Sequence, residues 1–230
     1  MIRQSRISNF ISRLAISLLL IVSGSSGAQA QRFLRLERDT VPLLRGFAVG
    51  FDVVGLAQLQ LSDYGQYEGA VRLNLHDQYF PTVEVGLGRA THVPDETSVI
   101  GYKTSAPYFR VGADVNIMKK KHTGNRVYAG LRYGFTSYKV DIYAESLVDP
   151  VWQQPVSYGV AGESCRQHWA EVLFGLEAKV AGPLHLGWSV RLKRRLFHND
   201  GLTEKTWYVP GFGTQGTTRL GAAFYVTVDI

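Results

Sequence analysis

From about Leu44 onward, apolar and polar residues alternate along the chain, the period of a β-strand whose two faces meet different surroundings. The last segment sets Leu220, Ala222, Phe224, Val226, Val228 and Ile230 against Arg219, Gly221, Ala223, Tyr225, Thr227 and Asp229. Before it, Leu184, Leu186, Trp188, Val190 and Leu192 oppose His185, Gly187, Ser189, Arg191 and Lys193. Between 127 and 136 the same alternation sets Val127, Ala129, Leu131, Tyr133 and Phe135 against Tyr128, Gly130, Arg132, Gly134 and Thr136. No run with helical spacing competes with it. The pattern predicts eight strands, roughly 44–56, 66–76, 79–90, 106–118, 125–139, 167–180, 184–196 and 217–230. Each reaches or slightly exceeds the about 9–11 residues of a tilted membrane strand. Short connections at 76–78, 119–124 and 181–183 alternate with longer ones near 57–65, 91–105, 140–166 and 197–216. The expectation is an all-β fold: an eight-stranded antiparallel up-and-down transmembrane β-barrel with short periplasmic turns and long extracellular loops.

Alternation alone also fits a soluble lipocalin-like barrel with an apolar interior, and the polar face separates the two. It is rich in glycine (Gly46, Gly50, Gly86, Gly88, Gly112, Gly130, Gly134, Gly175, Gly187 and Gly221). Its charges come in equal numbers: Asp52, Glu68, Glu84, Asp114, Glu171, Glu177 and Asp229 against Arg72, Arg110, Arg132, Lys179, Arg191, Lys193 and Arg219. Small residues beside large paired ions suit the lumen of an eight-stranded barrel, which side chains just fill. An unpaired ion there would cost several kcal/mol. The other face carries almost no charge, with Tyr67, Tyr79, Tyr108, Tyr138 and Trp169 expected as aromatic girdles near the strand ends.

Residues 1–30 carry the parts of a secretory signal peptide: Arg3, Arg6 and Arg13, the apolar run from Leu14 to Val22, and the small-residue site Ala28-Gln29-Ala30. That run is shorter than the ~20 residues of a spanning helix. Residues 31–43 follow as a polar periplasmic lead-in, with the barrel domain from 44 to 230. Losing the three leader arginines lowers the net charge of +6 by three, too little left to argue for nucleic acid. With 45% hydrophobic and 19% charged residues the chain is not disordered. The single cysteine, Cys165, excludes an intramolecular disulfide framework.

Candidate chemistry is sparse. His185 and Ser189 are four residues apart on one strand, about 13 Å at ~3.4 Å per residue, too far for the hydrogen bond of a nucleophile and its base. Glu163, Cys165 and His168 do not follow zinc-site spacing. The run Lys119-Lys120-Lys121-His122 reads as a solvated turn, with anionic lipid, peptidoglycan or an acidic partner as the alternative. Gly86-Leu87-Gly88 lies within a strand and lacks the helix of a phosphate loop. The aromatic loops say more: Trp152 and Tyr158 in the third, Trp207, Tyr208 and Phe212 in the fourth, stiffened by Pro150, Pro155 and Pro210. They are candidate binding residues, or else a lid folded over the barrel mouth. No catalytic residue, cofactor or metal site is expected.

The motifs Ser62-Asp63-Tyr64-Gly65-Gln66-Tyr67-Glu68, Tyr102-Lys103-Thr104-Ser105-Ala106-Pro107-Tyr108-Phe109-Arg110-Val111-Gly112, Gly182-Pro183-Leu184-His185-Leu186-Gly187-Trp188-Ser189 and Trp207-Tyr208-Val209-Pro210-Gly211-Phe212-Gly213 resemble a family of Bacteroidota outer-membrane barrels, the domain of unknown function DUF6048. The resemblance runs over about 42–230 and implies export, an outer-membrane location and a small lipoprotein as partner. It brings no catalytic residues. The chain departs from the general barrel pattern in closing on Val228-Asp229-Ile230 rather than on an aromatic residue. The functional expectation is a non-enzymatic outer-membrane scaffold, in contact with outer-membrane lipid, that docks a small lipoprotein or the outer-membrane assembly machinery. The alternatives are a lipid-modifying barrel enzyme of the deacylase or acyltransferase type and a soluble carrier.

Overall fold

Eight antiparallel strands close into a ring, each paired with its neighbour in the chain and the last paired with the first. The computed structural model describes residues 41–94, 98–149, 151–199, 201 and 206–230, with backbone alone at 145–148, 155 and 157. The expected signal peptide and residues 31–40 of the lead-in lie outside the described residues. In chain order the elements are β1 (Leu44–Asp52), α1 (Val53–Leu61), β2 (Tyr64–Leu75), β3 (Tyr79–His92), β4 (Gly101–Asn116), β5 (Arg126–Val148), β6 (Pro155–Ala181) and β7 (Leu184–Asn199). Two short strands, β8 (Tyr208–Val209) and β9 (Gly213–Thr214), pair with each other, and β10 (Thr218–Asp229) completes the wall between β7 and β1.

The two faces of the wall are chemically inverted relative to a barrel that stands in water. Glu68, Glu84, Arg110, Asp114, Arg132, Glu171, Glu177 and Arg191 point inward and are buried. Leu131 is 64%, Trp188 62% and Leu220 74% exposed. Large apolar side chains alternate with buried ions on seven of the wall strands, among them Phe47, Val71, Val85, Phe109, Phe174 and Val190, and on β10 with buried Ala223, Tyr225 and Thr227. Sheet pleating accounts for this, since successive side chains leave opposite faces.

Three sequence expectations change. The first strand ends at Asp52, and 53–61 is helical. The Asp52 carboxylate caps the helix by accepting from Val54 N (3.1 Å) and Gly55 N (3.2 Å), which satisfies two of its free first-turn donors. Apolar residues lie all round this helix, so it shows no contrast at a period of 3.6. Next, residues 140–166 do not form a long loop. β5 and β6 stay paired out to Val148↔Pro155, leaving only 149–154 as a connection. Finally, Tyr108, Tyr138 and Trp169 are not on the outer face. They share strand parity with Arg110, Arg132 and Glu171 and are buried inside.

Lumen glycines stand where a large inward ring needs the space. A Cβ on Gly86 would meet the ring of Tyr108, one on Gly134 the indole of Trp169, and one on Gly175 the ring of Tyr128. Gly134→Val should destabilise the barrel by about 1–3 kcal/mol through overpacking. Gly69→Ala, whose new carbon has only Gly50 O at 3.9 Å, should stay within about 0.5 kcal/mol. Denaturant unfolding in detergent micelles measures both.

Candidate functional site

The lumen holds six buried carboxylates (Asp52, Glu68, Glu84, Asp114, Glu171 and Glu177) and six buried cations (Arg72, Arg110, Arg126, Arg132, Arg191 and Lys193) among the described residues. Most of them join one network. Towards the short-turn end, Glu177 receives Arg72 (2.6 Å) and Arg126, and Arg72 also lies 3.8 Å from Asp114. At mid-height, Glu84 lies 3.1 Å from Arg110, 3.1 Å from Arg132 and 2.8 Å from Arg191. Arg132 joins the two levels, donating to Asp114 (2.7 and 2.8 Å) as well as to Glu84. Glu68 accepts from Arg110 and from the phenols of Tyr108 and Tyr225, and Trp169 Nε1 donates to Glu171 at 2.6 Å. Guanidinium groups also face rings, Arg126 over Phe80 at 4.5 Å and Arg110 over Tyr108 at 5.1 Å.

Five of the charges expected in this network have other settings. Asp52 is buried but caps α1 and also accepts from Phe224 N (3.1 Å). Lys193 Nζ donates to Gly211 O (2.7 Å). Arg219 bonds the backbone oxygens of Thr214 (2.7 Å) and Gln215, and Asp229 lies at the rim, 2.9 Å from His185 Nε2. Lys179 is exposed, because the register carries it past the last lumen layer. The sequence reading left Arg126, Tyr108 and Tyr225 out of the network, although each shares the strand parity of a charge it named, whereas His185, read as facing the lumen, is buried there. His185 and Ser189 are not brought together: His185 faces Asp229 and Glu177, and the Ser189 hydroxyl receives Arg191 Nε at 3.4 Å.

Above the ions, the segment 206–216 enters the mouth as a stopper. Thr206, Tyr208, Val209 and Phe212 are buried. Tyr208 donates to Gly65 O (3.2 Å), Tyr102 donates to Tyr208 O (2.7 Å), and the hydroxyls of Tyr138 and Thr206 lie 2.8 Å apart. Burial pushes the Tyr208 phenol up, so it stays a neutral donor. Phe212 packs edge-on against Trp169, with ring centroids 5.9 Å apart. Gly211 has φ +79 and lies against the Tyr108 ring, an approach and a backbone conformation that favour glycine. Tyr208 and Phe212 are therefore lid residues rather than a binding surface. Trp207 is half-exposed beside Tyr64, Tyr102 and His92. Cys165 is buried in the same apolar upper lumen, whereas His168 faces outward against Phe135 and Phe197.

Beyond the ring, β5 and β6 continue as a two-stranded projection. The pairing of β4 with β5 ends at Gly101↔Tyr143 and that of β6 with β7 at Arg166↔Asn199. Residues 144–148 extend it by about 17 Å at ~3.3 Å per residue. Val151 and Trp152 at the tip and Val156 and Tyr158 on β6 are exposed. Asp149 shapes the tip by accepting from Val151 N (2.7 Å) and Trp152 N (3.0 Å), and these bonds hold its carboxyl below the usual range.

At the opposite end, Asp77 clasps three segments. It receives Arg45 from β1, Asn74 Nδ2 at 2.7 Å, and His122 Nδ1 at 2.7 Å from the β4–β5 turn. Partial burial alone would raise this carboxyl, but the bonds from His122 and Asn74 and the charge of Arg45 outweigh it and hold it low. His76 and Asp77 both have positive φ, the sign pattern of a tight hairpin turn.

A closed eight-stranded antiparallel ring with an ion-filled lumen and a stoppered mouth defines the class of protein. Within that class the chain belongs to the family described as Domain of unknown function (DUF6048), whose model matches residues 10–229. No curated protein and no solved structure matches the chain.

Two predictions follow from the geometry. Glu84→Leu removes the carboxylate that Arg110, Arg132 and Arg191 share and leaves one unbalanced positive charge in the lumen, although each arginine keeps another carboxylate, and should cost about 3–5 kcal/mol in denaturant unfolding. Replacing Glu84 and Arg191 together by Leu should cost less than the sum of the two single changes. A carboxyl held low in the folded state contributes stability that is complete above its unfolded value, ~3.9 for Asp, and is lost as pH falls through the lower folded value. Asp77→Asn should therefore lower stability at neutral pH and flatten its decline below about pH 4, as read by thermal unfolding at pH 7 and pH 3.

Proposed function

We propose that this protein is an integral barrel of the bacterial outer membrane and a non-enzymatic scaffold, whose projecting hairpin docks another envelope component, a small lipoprotein or the outer-membrane assembly machinery. The observation that carries the membrane reading is the outward ring of large apolar side chains around a lumen of paired ions. Exposed apolar area costs roughly 25 cal/mol per Å² in water, and soluble monomers rarely expose contiguous patches beyond a few hundred Å². In hydrocarbon the same surface costs nothing, and the ring keeps its strands paired up to the level of Asp52, above which α1 packs against β2 and β10. In this reading the short turns, with Asp77 and Lys119–Lys121, lie in the periplasm, and the hairpin and stopper lie outside the cell.

The scaffold role follows from what is left for binding. The lumen is filled from Glu177 up to Phe212, which argues against bulk transport. The exposed aromatics Trp152 and Tyr158 stand on a paired hairpin, and aromatic anchors of this kind supply contact area at low entropic cost. Membrane fractionation tests the first half: the protein should stay in the pellet through a urea and carbonate wash, and release by that wash would overturn it. For the second half, crosslinking in intact cells followed by mild-detergent purification should recover a partner that the variant carrying Trp152→Ala and Tyr158→Ala loses while still reaching the membrane. Recovery as a lone monomer in every mild detergent would overturn the scaffold role.

A further inference from the structure

The wall of the ring is not made of strands all the way up. β1 stops at Asp52, opposite Tyr225 on β10 and just above Phe51↔Gly69 on β2. β10 continues to Thr218 and β2 begins at Tyr64, so above Asp52 these two strands flank a notch with no strand between them. Helix α1 occupies it, packed against both. Its seat is close: a Cβ on Gly55 would meet Gln66, and one on Gly65 would meet Leu59. Asp52 secures the corner. Its carboxylate, 1% exposed, accepts from two amides of α1 and from Phe224 N of β10, the strand that loses its partner there.

The outer surface of this helix is unusual for an element that meets water. The sequence Val53-Val54-Gly55-Leu56-Ala57-Gln58-Leu59-Gln60-Leu61 contains no charge. At 100° per residue, Val53, Val54, Ala57 and Leu61 form one stripe with the two glutamines on its flanks. Gly55, on the opposite side, is the buried residue, while Val53, Val54 and Leu61 are exposed, Leu61 at 85%. A helix resting on a protein in water points such a stripe inward; this one points it out. The stripe also continues the apolar ring: on the flanking strands the outward residues at this height are Tyr67, opposite Leu87, and Leu220, opposite Leu192. Outward charge begins level with the last turn of the helix, where Arg89 pairs opposite Gly65, the residue that lies against Leu59, and Thr91 and Arg194 follow above it.

We infer that α1 is a lipid-contact segment of the barrel wall, seated in a lateral notch between β10 and β2, with its Val53–Val54–Ala57–Leu61 stripe against the acyl chains and glycerol region of the bilayer. This rests on the membrane reading proposed above. The stripe's lack of charge and its continuity with the apolar ring favour a hydrocarbon occupant over a protein surface or an aqueous setting.

Spin labels in a Cys165→Ser background test it, in vesicles of phosphatidylethanolamine and phosphatidylglycerol. Leu61→Cys and, independently, Val54→Cys report on the stripe, Val190→Cys on the apolar ring, and Trp152→Cys on the aqueous hairpin. The ratio of collision with oxygen to collision with a water-soluble nickel chelate should be several-fold higher at 61 and 54 than at 152, and close to that at 190. A ratio at 61 and 54 matching 152 while 190 stays oxygen-rich overturns the inference and leaves the membrane reading standing. Labels at 61 and 54 shielded from both reagents also overturn it, since protein then covers the stripe. A chelate-rich signal at 190 removes the membrane reading and the inference together.

Discussion

Pairing of charge inside a closed ring is the constraint on which the remaining structure depends. Glu84, Glu171 and Glu177 can be carried on inward faces only because Arg72, Arg110, Arg126, Arg132 and Arg191 reach them from other strands, some adjacent and some across the lumen. Glu84 sits on β3, and two of its guanidinium partners come from β5 and β7. Their attraction therefore operates only once the ring has closed and the strand register is correct. A slip of one residue on any strand would turn its ions outward and its apolar residues inward. The network so ties register, closure and filling into one condition, and leaving any member unpaired is costly.

The two ends are built around that middle. Towards the mouth the lumen changes from ions to rings, and the stopper uses this change. Phe212 meets Trp169, Gly211 meets Tyr108, and Lys193 at the top of the ionic layer holds Gly211 O. At the other end the turns are short, and one carboxylate, Asp77, gathers β1, the β2–β3 hairpin and the β4–β5 turn. Between them the wall departs from regularity at one corner, where Asp52 stops β1 and starts α1. On the proposed membrane reading, the features left to act on other molecules are the outer surface, including that helix, and the hairpin carrying Trp152 and Tyr158.

Much of this was legible in the chain. The alternation of Leu131 with Arg132, of Trp188 with Ser189 and Arg191, and of Val85 with Glu84 and Gly86 fixes eight strands and their two faces, because pleating converts a period of two into opposite sides. The same parity rule, applied consistently, would have put Tyr108 with Arg110 inside and added Arg126 to the ions. The extension of β5 and β6 was harder to read, since a projecting hairpin has no interior to impose a contrast between faces. The capped helix was hidden for a related reason, its residues being apolar all round.

By itself, then, the sequence determined the secondary-structure class, the number of wall strands, the inverted chemistry of their faces and the inward placing of the central ions from Glu68 to Arg191, all of which are local or periodic properties. Which carboxylate meets which guanidinium, that Asp52 serves backbone amides rather than a cation, that Tyr208 and Phe212 are swallowed by the mouth while Trp152 and Tyr158 stand clear, and that a helix completes the wall beside β10 were decided only by tertiary structure. These depend on distances across a closed ring between residues up to 172 positions apart, and no local pattern encodes such distances.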